Sequence, residues 1–337
     1  MIILIIKGFD TMKRAVWIYY ELRWYVSKLY ERRTHMNSAM GAHKYAGKNT
    51  LNALQSNQII YDAIISNVPF FCGRIGGNEM NVIAYSYRYK WFPFRTDARK
   101  ESLHDLCIGA GFFPEDNMRG EQFVELMTES VKELDIVGVW SRYMEEWLIN
   151  QFAKESNVAW IHNLEPWNVD ITKDDGVRWS YALKDKRVLI IHPFEDTIRE
   201  QYDKHRMELF KNIDEELLPE FELITIKAVQ SMGGGVEGYA DWFDAYNQML
   251  EQCRNLDFDV AIIGCGAYGF PLGAEIKKMG KIAIHLGGVT QLLFGIRGRR
   301  WDSYGGIYES MINDSWTRPS NREITTIMKE IENGCYC

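Results

Sequence analysis

The sequence lacks several features that would place it in a class at once. Its apolar opening, Met1 to Ile6, is far short of the ~20 residues a membrane-spanning helix needs. That stretch also lacks the small-residue cleavage site of a secretory signal. The six cysteines form no CxxC pair and no zinc-ligand spacing. A reduced, cytoplasmic protein is the simplest expectation, with the closing Cys335-Tyr336-Cys337 a frayed tail rather than a metal site. Positive charge is not in excess: the formal net charge of -7 argues against a general nucleic-acid binder. There is no Walker A lysine motif, no G-x-S-x-G elbow and no H-E-x-x-H, so those enzyme classes lack their signature. No internal repeat, low-complexity segment or Pro/Gly/Ser linker cuts the chain.

What is present excludes disorder. Apolar residues make up 46% of the 337, and 11 Trp, 18 Tyr and 16 Phe can bury a large core. That length suits one large α/β domain or two modest ones.

The charge is unevenly spread. Up to Thr34 the chain carries seven cations (Lys7, Lys13, Arg14, Arg23, Lys28, Arg32, Arg33) against Asp10, Glu21 and Glu31, a net +4. The same segment holds Trp17, Tyr19, Tyr20, Trp24, Tyr25 and Tyr30. A basic, aromatic helix can lie in a membrane interface and favour anionic lipid. The plainer alternative is a helix packed on the body with its charges solvated. Residues 1–48 are therefore read as a basic helical segment, and 49–337 as one α/β domain with possible halves at 49–183 and 184–337.

Strand and helix patterns alternate along the rest. Helices are expected over Thr50–Ile65, Glu121–Leu134, Arg142–Lys154, Thr197–Phe210 (with Asp196 as N-cap) and Ala240–Cys253. Strands are expected over Val68–Ile75, Asp135–Trp140, Val158–His162, Arg187–Phe194, Phe221–Lys227, Val260–Ile263 and from Ile282. The expected fold is α/β: a mostly parallel, Rossmann-like sheet with helices on both faces. Ligands of such sheets sit at the carboxyl ends of the strands. The loops at Gly76–Glu79, His192–Asp196, Gln230–Gly235, Gly264–Gly269 and His285–Gln291 are the places to look.

The stretch from Phe258 to Gly288 reads strand, glycine turn, helix, strand. Pro271 suits the first turn of its helix and Gly280 the end. Gly264-Cys265-Gly266-Ala267-Tyr268-Gly269 fits G-x-G-x-x-G, whose backbone N–H groups and following helix N-terminus suit a phosphate. The next strand ends in His285-Leu286-Gly287-Gly288, without the acid that would hold the ribose of a dinucleotide, so a dehydrogenase is disfavoured. A nucleotide diphosphate is the better ligand, with Tyr268 near a base or sugar. The plainer reading of these glycines is close helix–strand packing.

Arg74-Ile75-Gly76-Gly77-Asn78-Glu79 places a carboxylate just past a strand, beside two glycines. Glu79 could deprotonate an acceptor hydroxyl or bind a divalent metal, and Arg74 could clamp a phosphate. A salt bridge at a helix start is the plainer reading. His192 stands at a strand end, where a base or diphosphate ligand would be useful. Arg297-Gly298-Arg299-Arg300, close behind Gln291, suits a diphosphate or lipid phosphate, or is a solvated basic turn.

The Arg-x-Gly-x-x-Glu segment at Arg74–Glu79, with the distal unit AIIGCGAYGFPLGAEIKKMGKIAIHLGG, resembles the GT-D-fold glycosyltransferases of bacterial surface polysaccharide and adhesin glycosylation. The likeness is order plus two short motifs across roughly Pro69 to Gly295. In that family the early motif reads R-[FY]-G-D-G-E, and its Asp-x-Glu pair is associated with metal, donor and catalysis. Arg74, Gly76 and Glu79 match, but the family's aspartate falls on Gly77. The late histidine, His285, is displaced from the family's Asp-x-Gly-His-like position. The resemblance implies sugar transfer from a nucleotide-diphospho donor to a glycan or lipid-linked acceptor hydroxyl. It implies Glu79, Arg74 and His192 as catalytic groups, and Glu79 as ligand to Mn2+ or Mg2+. The donor would meet Gly76, Gly77, Asn78, Gly264, Gly266, Tyr268, Gly269, His285, Gly287, Gly288, Gln291 and Arg297. The basic N-terminal helix would hold the enzyme at the inner face of the cell membrane. Two alternatives stay open: another Rossmann-like enzyme, such as an oxidoreductase or methyltransferase, and a non-catalytic subunit of polysaccharide assembly.

Overall fold

A computed structural model of the chain describes residues 2–34, 41–93, 97–171, 176–234, 236 and 238–330, with side chains from Met12 to Met328. The tail Cys335-Tyr336-Cys337 lies outside the described residues, as does Gly235 of the expected glycine loop.

The apolar runs form one nine-stranded sheet, ordered β1-β2-β5-β4-β3-β9-β8-β6-β7. Its strands are β1 (Lys44–Tyr45), β2 (Lys48–Leu51), β3 (Phe70–Arg74), β4 (Ile136–Val139) and β5 (Asn157–Trp160), then β6 (Arg187–His192), β7 (Glu222–Lys227), β8 (Val260–Ile263) and β9 (Ile282–His285). The edge pair β1–β2 is antiparallel, and every other pairing is parallel. This is the expected α/β sheet. Because side chains alternate across a strand, β-branched runs bury both faces. Phe71, Val137, Leu189, Ile191, Ala261 and Ile263 enter one core layer. Their neighbours Cys72, Ile136, Val188, Ile190, Val260 and Ile262 enter the other.

The first helix, α1 (Ile2–Thr34), is followed by α2 (Ala53–Ser66), α3 (Gly77–Trp91), α4 (Asp97–Ala110), α5 (Asn117–Val131), α6 (Glu145–Phe152), α7 (Glu195–His205), α8 (Trp242–Asn255) and α9 (Gly269–Lys278). Local chemistry sets many of their ends. Asn52 and Gln55 form a reciprocal capping box at the start of α2. Asp116 and Asp241 cap α5 and α8. Gly280, at φ +81°, lets the last turn of α9 close with Lys281 N–H donating to Ile276 O and Gly280 N–H to Lys277 O.

Several boundaries differ from expectation. Lys48–Leu51 is a strand, β2, so α2 starts at Ala53 rather than Thr50. Helix α6 starts at Glu145 rather than Arg142, because Ser141 and Met144 take left-handed backbone at φ +60° and +61°. Asp196 is not an N-cap: α7 begins at Glu195, and the buried carboxylate of Glu323 accepts from the Asp196 and Thr197 N–H groups instead, at 2.8 and 3.3 Å. That helix N-terminus is therefore already satisfied by the protein.

The order places two breaks over one end of the sheet. The half β5-β4-β3 meets the half β9-β8-β6-β7 at the β3–β9 seam, and β6 sends the chain outward to β7 before it returns to β8 on the other side. Arg74 and His285 end the strands at the seam, and His192 and Ile263 end those at the reversal.

Candidate functional site

A cleft of about 750 Å³ opens over these carboxyl ends. A second lobe of about 860 Å³ adjoins it, and the two share a wall that includes Arg74, Trp140, Arg142, His285 and Arg300. Arg74, Gly76–Glu79, His192, Gly264, Gly266, His285, Gly287, Gly288 and Gln291 all line the first lobe. Glu79 and the late glycines, nearly two hundred residues apart in sequence, thus face one space.

Glu79 is the third residue of α3, whose N-cap is Gly76. Its carboxylate folds back over Gly76, where a side chain would displace the Glu79 carboxylate from its present position. The carboxyl is buried at 8% exposure, and among the described residues it makes no ion pair. Burial pushes its pKa up, opposed by its own backbone amide and the nearby Arg74 charge. The expected Arg–Glu salt bridge is therefore absent. Arg74 instead donates from Nε to Leu286 O at 3.0 Å and lies over the Trp140 ring, 5.3 Å from its centroid.

The approach of Arg74 to the last loop explains one glycine. Gly287 has φ +65°, and a Cβ there would sit 2.4 Å from Arg74 Nη2. Gly264 has an ordinary packing reason: a Cβ would lie 2.7 Å from Gly287 O and from Thr290. Gly269 is covered by the His285 ring, also at 2.7 Å, and does not reach the cleft.

Both strand-end histidines are neutral at physiological pH. Burial takes His192 down to about 3. Its Nδ1 accepts the Phe194 N–H at 3.0 Å, so its proton sits on Nε2 and the ring is a donor rather than a base. Burial, aided by the charge of Arg74, takes His285 to about 3 as well. Both nitrogens of His285 are buried, and neither sits in a well-formed hydrogen bond with the described residues.

Besides Gly269, two expected contacts are not in the cleft. Tyr268 is 1% exposed, stacked on Trp242 at 4.8 Å with its hydroxyl 2.6 Å from Ser231 Oγ. It is a core residue, because the helix after the glycine turn presents that position to the α8 side. Arg297 donates to Asp302 at 3.1 Å and lies outside the first two lobes, and Arg300 of the same cluster lines both.

Other lining residues had no motif to announce them. Lys28 reaches both lobes from α1, beside Trp24 in the first. Trp140 and Arg142 follow β4, with the Arg142 guanidinium 3.5 Å from the Trp140 ring centroid and Trp140 Nε1 donating to Ile75 O at 3.0 Å. The strand-end rule marks Trp140, and Lys28 is marked only as one cation of the basic N-terminal segment. The result is a cleft with Lys28, Arg74, Arg142 and Arg300 along it and one buried carboxylate, Glu79, in its first lobe.

These donors do not fit a divalent metal. Among the described residues no group of three or more His, Cys, Asp or Glu side chains stands together, and Gly77 offers no second carboxylate beside Glu79. The four cations, of which Lys28 is paired with Glu31 at 2.6 Å, fit an anion such as a diphosphate.

No family model matches the chain, and no curated protein matches it. Two solved structures are similar to it. One is described as showing that the highly conserved domain of unknown function 1792 has a distinct glycosyltransferase fold. It is 12% identical over 82% of this chain and 93% of that one, with a TM-score of 0.43. The other, a selenomethionine-substituted structure of domain of unknown function 1792, is 12% identical over the same shares, with a TM-score of 0.41. The likeness is one of fold alone.

Proposed function

We propose that the protein is a glycosyltransferase, moving a sugar (a hexose is the expected unit) from a nucleotide-diphospho donor to a hydroxyl of a glycan or lipid-linked acceptor in surface polysaccharide assembly. One observation carries this reading: the Arg-x-Gly-x-x-Glu segment and the late glycine loops line a single cationic cleft at the carboxyl ends of the strands. Arg74, Arg142, Arg300 and Lys28 neutralise the departing diphosphate, in a role a metal would otherwise fill. His192, uncharged and with its proton on Nε2, donates to it. Glu79 accepts from hydroxyls of the donor sugar and offsets positive charge developing at the anomeric carbon. A dinucleotide oxidoreductase lacks support, since β9 ends in His285 and Leu286 with no acid for the ribose.

Calorimetric titration with a panel of UDP-, GDP- and CDP-sugars, with and without manganese, tests the reading. At least one donor binds, and manganese changes its affinity little. Silence across the panel defeats it. With the donor identified, Glu79→Gln folds but loses turnover by about 100-fold or more.

The acceptor is proposed to be carried on a membrane. Helix α1 packs through Trp17, Trp24 and Lys28, while Ile18, Tyr19, Leu22, Tyr25, Val26, Leu29 and Tyr30 are exposed along its outer side. An apolar-aromatic stripe on a net-positive helix suits the interface of an anionic bilayer. No described helix is long and apolar enough to cross one. Co-sedimentation is expected with vesicles containing phosphatidylglycerol and not with phosphatidylcholine alone. Binding to neither removes the membrane role.

A further inference from the structure

The second lobe contains a built group with no part in the donor site. Strand β5 runs directly into a turn, Ile161–Leu164, and a second turn, Pro166–Asn168. These hold His162 and Glu165 in the lobe wall beside Tyr308. Glu165 is buried at 4% exposure. Its Oε2 accepts from Trp167 Nε1 at 2.9 Å, Asn168 Nδ2 at 2.8 Å and the Tyr308 hydroxyl at 2.7 Å. Its Oε1 lies 3.4 Å from His162 Nδ1. Because Tyr308 gives its one proton to Glu165, its oxygen is an acceptor for His162 Nδ1–H at 3.1 Å. The proton is therefore fixed on Nδ1, and Nε2 is left as a base on a side chain 39% exposed.

The position matters as much as the tautomer. His162 lines the second lobe only, Glu79 and the glycine loops line the first only, and Arg74 and Arg300 stand between. A carboxylate buried behind an imidazole orients it and stabilises its charged form. The lobe also offers the Tyr304 ring, half exposed, whose face suits the apolar side of a sugar.

We infer that the second lobe is the acceptor subsite and that His162, held by Glu165, removes the proton from the acceptor hydroxyl. The inference rests on the glycosyltransferase reading. The acceptor oxygen forms its bond to the anomeric carbon as the bond from that carbon to the diphosphate oxygen breaks. The electron pair leaves with the nucleotide diphosphate, and the acceptor proton ends on His162 Nε2. Attack from the lobe opposite the leaving group gives inversion at the anomeric carbon.

Full-length wild type, His162→Gln and Glu165→Gln are compared in nucleotide-diphosphate affinity, transfer rate and pH profile. Fold is checked by circular dichroism. His162→Gln should bind nucleotide as wild type does, while kcat falls by about 100-fold or more and the acid limb of kcat/KM disappears. That limb lies above the ordinary histidine value, because Glu165 raises the imidazole against burial and the opposing Arg74 charge. Lys28, Arg142, Arg300, Tyr304 and His285 also border the lobe, and their contribution is common to the Gln variants. Glu165→Gln should move the limb to lower pH. Wild-type turnover with an unchanged limb in His162→Gln, or retention of anomeric configuration, overturns the inference. Absence of any nucleotide-sugar binding instead removes the parent reading. The His162 ring signals in NMR then decide the lobe alone: shifts on adding methyl glycosides keep it as a sugar site, and none discards it.

Discussion

Arg74 is held where a phosphate can use it. Its Nε is spent on Leu286 O, and Gly287 leaves room for the rest of the guanidinium. Losing hydrogen bonds to a charged group costs about 1.5–3 kcal/mol, so Arg74→Met should weaken nucleotide-diphosphate binding roughly 10- to 100-fold by calorimetry. Gly77 makes the opposite point. The nearest atoms to a Cβ there belong to Arg142 and Trp140 at 3.9 Å, so a side chain fits. Gly77→Asp should fold with an unchanged melting temperature, since an acid is favoured at a helix start. It should bind the donor more weakly, because its charge offsets Arg142. Tighter, manganese-dependent binding would instead show that a carboxylate pair works here. Both positions were legible as a motif beside a strand. Tyr268 was not: the G-x-G-x-x-G pattern places it after a turn but is silent on whether that side of the helix meets the cleft or Trp242.

His192 titrates in the fold at about 3 rather than near its ordinary 6.5. The unfolded chain therefore takes up a proton below pH 6.5 that the folded chain refuses until about pH 3. The stability tied to the neutral ring is intact above 6.5 and drains as pH falls through that window, by ~1.4 kcal/mol per unit. Denaturant midpoints at pH 7.5 and 5.0 should differ less in His192→Asn than in wild type. An equal drop in both would place the acid sensitivity elsewhere.

At the scale of elements, the β4–α6 loop is the most strained part of the cleft. Ser141 and Met144 are non-glycine residues in left-handed backbone, a conformation that costs of order 1–3 kcal/mol each. The buried Glu145 carboxylate holds the turn, accepting from the Arg142 N–H at 3.2 Å and the Tyr45 hydroxyl at 2.9 Å. Burial raises Glu145 to about 7 despite those donors. Here the folded chain keeps a proton that the unfolded chain loses above about pH 4.5. Stability from this group is present below that value and is lost as pH rises to about 7. Glu145→Gln should gain stability relative to wild type between pH 5 and pH 8, on the order of a few kcal/mol by the same linkage. A constant difference across that range would contradict it. The loop was unreadable in sequence, because helix propensity alone extends α6 back to Arg142.

Helix α1 was readable as basic and aromatic, but not as contributing Trp24 and Lys28 to the cleft. Its two faces separate in function. Replacing Leu22, Tyr25 and Leu29 together by serine should abolish binding to phosphatidylglycerol vesicles while nucleotide affinity stays within twofold. Loss of nucleotide affinity as well would show that the outer face supports the fold.

At the scale of the whole molecule, the sheet was the most legible feature. Seven of its nine strands, β3 to β9, overlap the runs the pattern placed, and Val260–Ile263 matches to the residue. What the sequence could not convey was juxtaposition. The meeting of β3 with β9 across the seam depends on the strand order, which no local pattern encodes. That contact brings Arg74 beside His285 and sets the two lobes side by side. The His162–Glu165 pair escaped notice for the same reason, since its partner Tyr308 lies far along the chain in the short helix Ile307–Met311.

A crystal structure with a bound nucleoside diphosphate measures that juxtaposition directly. Phosphates are expected in the first lobe, touched at once by Arg74 and by the backbone of the Gly264–Gly266 or Gly287–Gly288 turns. A nucleotide seated elsewhere, with Glu79 and those glycines remote from it, would contradict it.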